Sequence, residues 1–183
     1  MTSLQGSFLV ASPHLSDPNF FRSVVLVVQH DLEGAFGLIL NRCTENSVSE
    51  VAELVSAEEG VAGPRIQHGG PVQGPFTAIH TDPAYPENEL LPGLYFTADK
   101  DHLNELVSRS EHLLLVFSGY AGWTDGQLEG EIKAGGWLTT PASVDEVFSE
   151  QTDLWHRVAR RIGLEILAPS INSERVPTDP SLN

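Results

Sequence analysis

The sequence predicts a mixed α+β domain, and three observations carry that reading. Two apolar segments, residues 23–30 (SVVLVVQH) and 35–41 (AFGLILN), flank the turn Asp31-Leu32-Glu33-Gly34 and read as an antiparallel hairpin. Helix-like stretches with apolar residues three and four apart lie among short strands scattered along the chain. The strands and helices do not alternate regularly, which argues against a doubly wound parallel sheet. With 183 residues, 40% of them hydrophobic, the chain suits one domain with a sizeable core. That domain is expected over residues 1–167.

The elements follow in order. Residues 7–11 (SFLVA) read as a short strand running into SPHLSDPNF, whose prolines and Asp-Pro-Asn favour an ordered loop. The strand at 23–30 is apolar almost throughout, so burial on both faces is expected. Gly34 supplies the positive φ that the hairpin turn needs. Residues 47–56 (SVSEVAELVS) have capping-box spacing at Ser47 and Glu50, with Val48, Val51, Ala52 and Val55 on one helical face. Short strands are expected at 65–68, 76–80 and 94–97, separated by GGPVQGP and DPAYPENELLPG. A surface helix at 99–109 turns Leu103, Leu106 and Val107 inward. The buried strand 112–117 opens into SGYAGWTDGQLEGEI, read as a glycine-rich loop and a helix. Residues 137–139 form a strand, Pro141 starts a helix reaching 148, and a last helix spans 153–162 with Thr152 as cap and Gly163 as stop. The polar stretch after Ala168 (residues 168–183) reads as a disordered tail.

Charge narrows the function classes. Ten Lys and Arg face 25 Asp and Glu, a net charge of −15. Affinity for nucleic acid comes largely from neutralising phosphates with basic side chains, so direct nucleic-acid binding is disfavoured. The one basic cluster, Arg157, Arg160 and Arg161, is expected to pair with acidic neighbours. MTSLQGSFLVASP has no basic region and no long apolar run, and no segment approaches the ~18 apolar residues of a membrane span. The lone Cys43 excludes an intramolecular disulfide. A soluble cytoplasmic protein without membrane attachment is the expectation.

Strand, glycine-rich loop and helix is also the layout of many phosphate sites. Here Gly119-Tyr120-Ala121-Gly122 lacks the G-x-G-x-x-G pattern, and Gly126 is followed by Gln127 instead of lysine. Asp125, Glu129 and Glu131 would repel a phosphate at that helix start. The residue types favour a structural loop, in which the glycines let a buried strand turn sharply while Tyr120 and Trp123 cover the core; an apolar pocket walled by Tyr120, Trp123 and Trp137, with Gln127 as a polar contact, is the alternative.

Catalytic patterns are weak. The G-x-S-x-G elbow is absent around Ser118, and Ser12, His14 and Asp17 crowd one loop. A hydrolase-like trio of Ser12 or Ser23 with His30 and Asp17 is the alternative, and close approach of either serine to His30 would favour it. The seven histidines show no H-x-H or H-E-x-x-H spacing, so neither a metal nor a cofactor is expected.

Several motifs together resemble the AlgH/YqgE family of uncharacterised bacterial proteins. They are GSFLVASPHLSDPNFFRSVVLVVQHDLEGAFGLILNR at 6–42, HGGPV at 68–72, FSGYAGWTDGQLEGEI at 117–132, and Trp137 and Trp155. The resemblance covers the chain apart from its tail. It implies a single α+β domain whose branched, mixed β-sheet curls into a pseudo-barrel with flanking helices, and it brings no established catalytic residues. The family usually reads Asn-Arg-Pro where this chain has Asn41-Arg42-Cys43, which argues against a family-wide thiol nucleophile. A "putative transcriptional regulator" label attached to some members finds no helix-turn-helix here and meets the acidic charge. The favoured expectation is a non-enzymatic binding or regulatory protein, acting through a protein partner or a small ligand. Its expected binding residues are Ser12, Asp17 and Arg22 in the first loop, His30, Asn41 and Arg42 around the hairpin, His68, Gly69 and Gly70, and Tyr120, Trp123 and Gln127. The competing structural expectation has the glycines serving tight turns, with Arg22 and Arg42 paired to Asp17 and Glu129.

Overall fold

A computed structural model describes residues 2–47, 65–109 and 111–167. The first sheet contains β1 (Ser7–Ala11), β2 (Val24–Asp31), β3 (Gly34–Ile39), β10 (Ala121–Thr124) and β11 (Trp137–Pro141), in the order β10-β3-β2-β1-β11. All its pairings are antiparallel. The second contains β4 (Cys43–Ser47), β5 (Arg65–His68), β6 (Thr77–His80), β7 (Glu89–Leu91), β8 (Leu94–Thr97) and β9 (Leu114–Ser118), in the order β4-β5-β9-β6-β8-β7. Only β5 and β9 run parallel. Helices α1 (Lys100–Ser108), α2 (Gln127–Lys133), α3 (Val144–Val147) and α4 (Leu154–Leu167) flank the sheets. The fold is α+β, as expected, and neither sheet of the described residues closes into a barrel.

Alternation along β1 and β2 explains the layering. Phe8 and Val10, with Val24, Leu26 and Val28, face a core shared with Ile79, Leu94 and Phe117 of the second sheet and with Leu154, Val158 and Ile162 of α4. Leu9 and Ala11, with Val25 and Val27, face the opposite way, into a core with Trp123, Leu128 and Trp137. A strand with both faces covered must be apolar at successive positions, which is why SVVLVV shows no polar alternation. A third core joins Ile66, Ala78 and Val116 to Leu103 of α1 on the outer side of the second sheet.

The chain passes between sheets at two corners, and both depend on backbone contact. β3 leads into β4 through residues 40–42, and β9 leads into β10 through Gly119, whose φ is +73°. Residues 68–72 run between these corners. His68 N–H donates to the Arg42 carbonyl at 2.6 Å, and Gly69 N–H donates to the Ser118 carbonyl at 2.9 Å. Ile39 N–H donates to the Gly69 carbonyl at 2.8 Å, and Val72 and Tyr120 exchange bonds of 3.0 and 2.9 Å. A Cβ at Gly69 would lie 2.3 Å from the Gly119 oxygen, and one at Gly119 would lie 2.7 Å from the Gly70 oxygen. HGGPV and SGYAG are therefore two halves of one crossing.

Several sequence expectations need correction. Residues 121–124, expected to lie in a loop, form β10, because pairing with Gly34–Gly37 supplies their hydrogen bonds. β7 lies inside the expected loop DPAYPENELLPG, paired to β8. The helix expected from Pro141 begins at Val144, where Ser143 Oγ accepts the Glu146 N–H. α4 continues through Gly163 to Leu167, and Thr152 bonds the Glu150 carboxylate. The helix expected at 47–56 lies outside the described residues apart from Ser47, the last residue of β4. The expected tail at 168–183 lies outside them as well.

Candidate functional site

A cleft of about 520 Å³ opens on the outer face of the first sheet, lined by loop residues 14–17 and 20, by Trp123, by Gln127 and Glu131 of α2, and by residues 134–137. Four chain segments build it. Ser12 N–H donates to the Gly136 carbonyl at 2.9 Å and fixes the start of the loop. Asp17 Oδ1 accepts the Asn19 N–H at 2.8 Å, and the Asp17 carbonyl accepts N–H groups from Phe20 and Phe21. This local bonding is the Asp-Pro-Asn turn read from the sequence. β10 buries Ala121 and Trp123 and leaves Gly122 and Thr124 exposed, following the period of two. On α2, Gln127 and Glu131 stand one turn apart.

Glu131 organises the floor. Its Oε2 accepts indole N–H bonds from Trp123 at 2.9 Å and Trp137 at 2.8 Å, and its Oε1 accepts the Gln127 amide at 2.9 Å. Gln127 Oε1 in turn accepts the Thr124 N–H at 3.1 Å. Hydrogen bonds to a charged group contribute about 1.5–3 kcal/mol each, so this carboxylate fixes both rings. Phe20 lies across them, stacked on Trp123 at 6.1 Å and edge-on to Trp137 at 5.4 Å. The two indoles meet edge to face at 6.0 Å.

The twelve residues expected to bind fall into four places. Ser12, Asp17, Trp123 and Gln127 belong to the cleft or to the loop that shapes it. Tyr120, expected on the same wall, packs instead against Phe36 at 5.0 Å, because residue 120 lies at the crossing, before the alternation of β10 begins. It shares the crossing with His68, Gly69 and Gly70.

Arg22, Asn41 and Arg42 form a brace at the far end of the hairpin. Arg22 has φ +54°, and its guanidinium lies over Phe21 and Trp155, 5.1 and 5.5 Å from the ring centroids. The Asn41 amide donates to the Arg22 carbonyl at 2.8 Å and accepts the Val24 N–H at 2.9 Å. Arg42 donates to the Phe21 carbonyl at 2.9 Å. Asp17 and Glu129, the carboxylates expected beside these arginines, lie elsewhere.

His30 stands alone in the fourth place. Its Nδ1 accepts the Leu4 N–H at 3.0 Å, so Nε2 carries the proton it donates to Glu129 Oε1 at 2.9 Å. Glu129 is held below the usual carboxylate pKa first by its own backbone N–H and then by His30. Neither serine of the alternative trio reaches this ring. Ser12 Oγ accepts the His14 N–H, and Ser23 Oγ donates to the Phe20 carbonyl at 2.8 Å.

Comparison with known proteins places the chain. The sequence model described as AlgH-like matches residues 8–167. The chain belongs to the AlgH-like family. A UPF0301 protein of Thermobifida fusca is 40% identical over 99% of this chain and 96% of its own length. Another, from Myxococcus xanthus, is 38% identical over 90% and 94%. The solution structure of the AlgH protein from Pseudomonas aeruginosa is similar with a TM-score of 0.72 and 31% identity, covering 93% of this chain and 95% of that one. The crystal structure of protein DIP2367 from Corynebacterium diphtheriae has a TM-score of 0.68 and 30% identity, covering 88% of each chain.

Among the cleft residues of this AlgH-like chain that the sequence left unassigned to a pocket are Glu131 and Phe20. The signal for Glu131 was present, since it stands one helical turn after Gln127 and two residues after Glu129. In the sequence its charge counted only as repelling a phosphate at the helix start. No local pattern pointed to Phe20, whose partners come from β10 and β11. Among the described residues, no group of three His, Cys, Asp or Glu is placed to hold a metal ion. No helix there is long and apolar enough to cross a membrane.

Proposed function

We propose that this AlgH-like chain is a binding protein whose cleft takes a small organic ligand, and that any regulatory role in the cytoplasm follows from occupancy of that cleft. The observation that carries the reading is the cleft itself. Its volume falls in the range of small-molecule sites, and aromatic rings are held in place there by a part-buried carboxylate. A binding role is favoured over hydrolysis because Ser12, Ser23 and His30 each bond elsewhere, so the expected trio does not assemble. A direct grip on DNA is disfavoured by the charge of −15 and by the engagement of Arg157 and Arg161. Arg161 pairs with Glu146 and Glu165, and Arg157 bonds Ser149 and the Glu150 carbonyl.

Thermal-shift screening against a metabolite library tests the proposal, with Ala134→Trp alongside. Ala134 is exposed, lines the cleft and has αR backbone, so a large side chain there obstructs the cleft without strain. A ligand at 100 times its dissociation constant should stabilise the protein by about 2.7 kcal/mol. A stabilising compound whose effect disappears in Ala134→Trp is the expected result. Silence across the library, or hits indifferent to the variant, would overturn the proposal.

A further inference from the structure

We infer that the ligand of this cleft is an organic cation, an alkylated or quaternary ammonium group on a small apolar body; the inference rests on the binding role proposed above. The side-chain N–H donors with fixed partners at the floor are the two indoles and the Gln127 amide, and all three donate to Glu131. An anionic ligand would have to displace a carboxylate to reach the indole donors, and the Ser16 hydroxyl, the His14 ring and the second Gln127 N–H are the other side-chain donors of the lining. Beside them stand acceptors and aromatic surface. Glu131 Oε1 retains a lone pair beyond its bond to Gln127, and Asp17 Oδ2 has no partner among the described residues.

Charge favours a cation as well. The lining holds the carboxylates of Asp17 and Glu131 and neither lysine nor arginine; His14 is the one lining side chain able to become cationic. The chain's net charge of −15 draws cations toward the molecule and repels anions.

Phe20 presents the part-exposed ring of the floor, because Trp123 and Trp137 lie buried beneath it, and aromatic faces attract alkylammonium groups within about 6 Å. A strongly hydrated inorganic cation would gain little from such a floor, whereas a methylated ammonium loses little hydration on entering it.

The test holds ligand shape fixed and varies charge. Choline, its uncharged tert-butyl isostere and the matching tert-butyl carboxylate are titrated into the full chain while the three indole N–H resonances are followed by NMR. Trp155, whose indole donates to the Ala11 carbonyl, serves as the internal control. Choline should shift the Trp123 and Trp137 signals but not Trp155, with a dissociation constant about tenfold below that of the neutral isostere. Asp17→Asn keeps the acceptor for the Asn19 N–H and removes the charge, and should weaken choline about threefold or more. Equal affinity for the three probes, or preference for the carboxylate, overturns the cation inference while leaving the cleft as a binding site. No response to any probe also overturns it, and the library screen then decides the binding role by itself.

Discussion

Glu131 draws N–H donors from a strand, a helix and a second strand onto one carboxylate. Replacing it by glutamine keeps the size but loses the charge, and the new amide N–H₂ must face an indole N–H or the Gln127 amide. Glu131→Gln should therefore destabilise the fold by about 2 kcal/mol, measured by urea unfolding. A loss below about 0.5 kcal/mol would mean that the indoles find other acceptors. His30 offers a cleaner reading at the same scale. Because the Leu4 N–H can only donate, the proton of the neutral ring must sit on Nε2. Long-range ¹⁵N spectra should show that tautomer for His30, and Glu129→Ala should leave it in place. An Nδ1-protonated ring would contradict the assigned geometry.

The crossing of 68–72 with 118–121 is where elements are joined. Its glycines were legible in the sequence as turn-makers, but their task is different, since the backbones of two strands touch there. Gly119→Ala places a Cβ 2.7 Å from the Gly70 oxygen at a φ of +73°. The left-handed backbone alone costs about 1–2 kcal/mol for an alanine, and the overlap adds to it. A loss above about 2 kcal/mol in chemical denaturation is expected. Gly130→Ala, where an added Cβ meets nothing, is the control and should be neutral or slightly stabilising. Equal effects from the two substitutions would show that close approach is not what Gly119 provides.

Stability against acid belongs to the whole molecule, because it depends on a histidine enclosed by several elements. His80 of β6 is fully buried, and neither ring nitrogen has a hydrogen-bond partner among the described residues. It lies against Tyr95 of β8 and Tyr85. Burial holds its pKa below the ordinary 6.5; nearby Asp82 and Glu87 act in the opposite sense, and His112 adds to the lowering. The unfolded chain thus takes up a proton before the folded chain does, so stability falls as pH drops below about 6.5. Asp82 adds a later step. The Ala84 N–H, followed by His112 and Arg109, holds its pKa below 3.8, so its contribution is lost as pH falls through that value. Melting temperatures of His80→Phe and the parent should diverge in favour of the variant as pH drops from about 7.5 to about 5.5. Parallel curves would show that His80 is not the group responsible.

The sequence by itself determined the hairpin, the double burial of β2 and the position of α1, and its charge set the expectation against a nucleic-acid grip. Each of these depends on local periodicity, local turn chemistry or a simple count of charge. It also supplied Trp123, Trp137 and Gln127 as pocket residues, from their types and their closeness to glycines. Only the tertiary structure decided that residues 121–124 are a strand, since Ala-Gly-Trp-Thr becomes one by pairing with β3, 84 or more residues earlier in the chain. CTENS became β4 for a related reason, because its pairing with β5 outweighs its polar composition. The tertiary structure also separated Tyr120 from the cleft and brought Asp17, Phe20, Glu131 and Trp137 together. Those four come from a loop, a helix and a strand, and contacts between distant segments leave no period in the sequence.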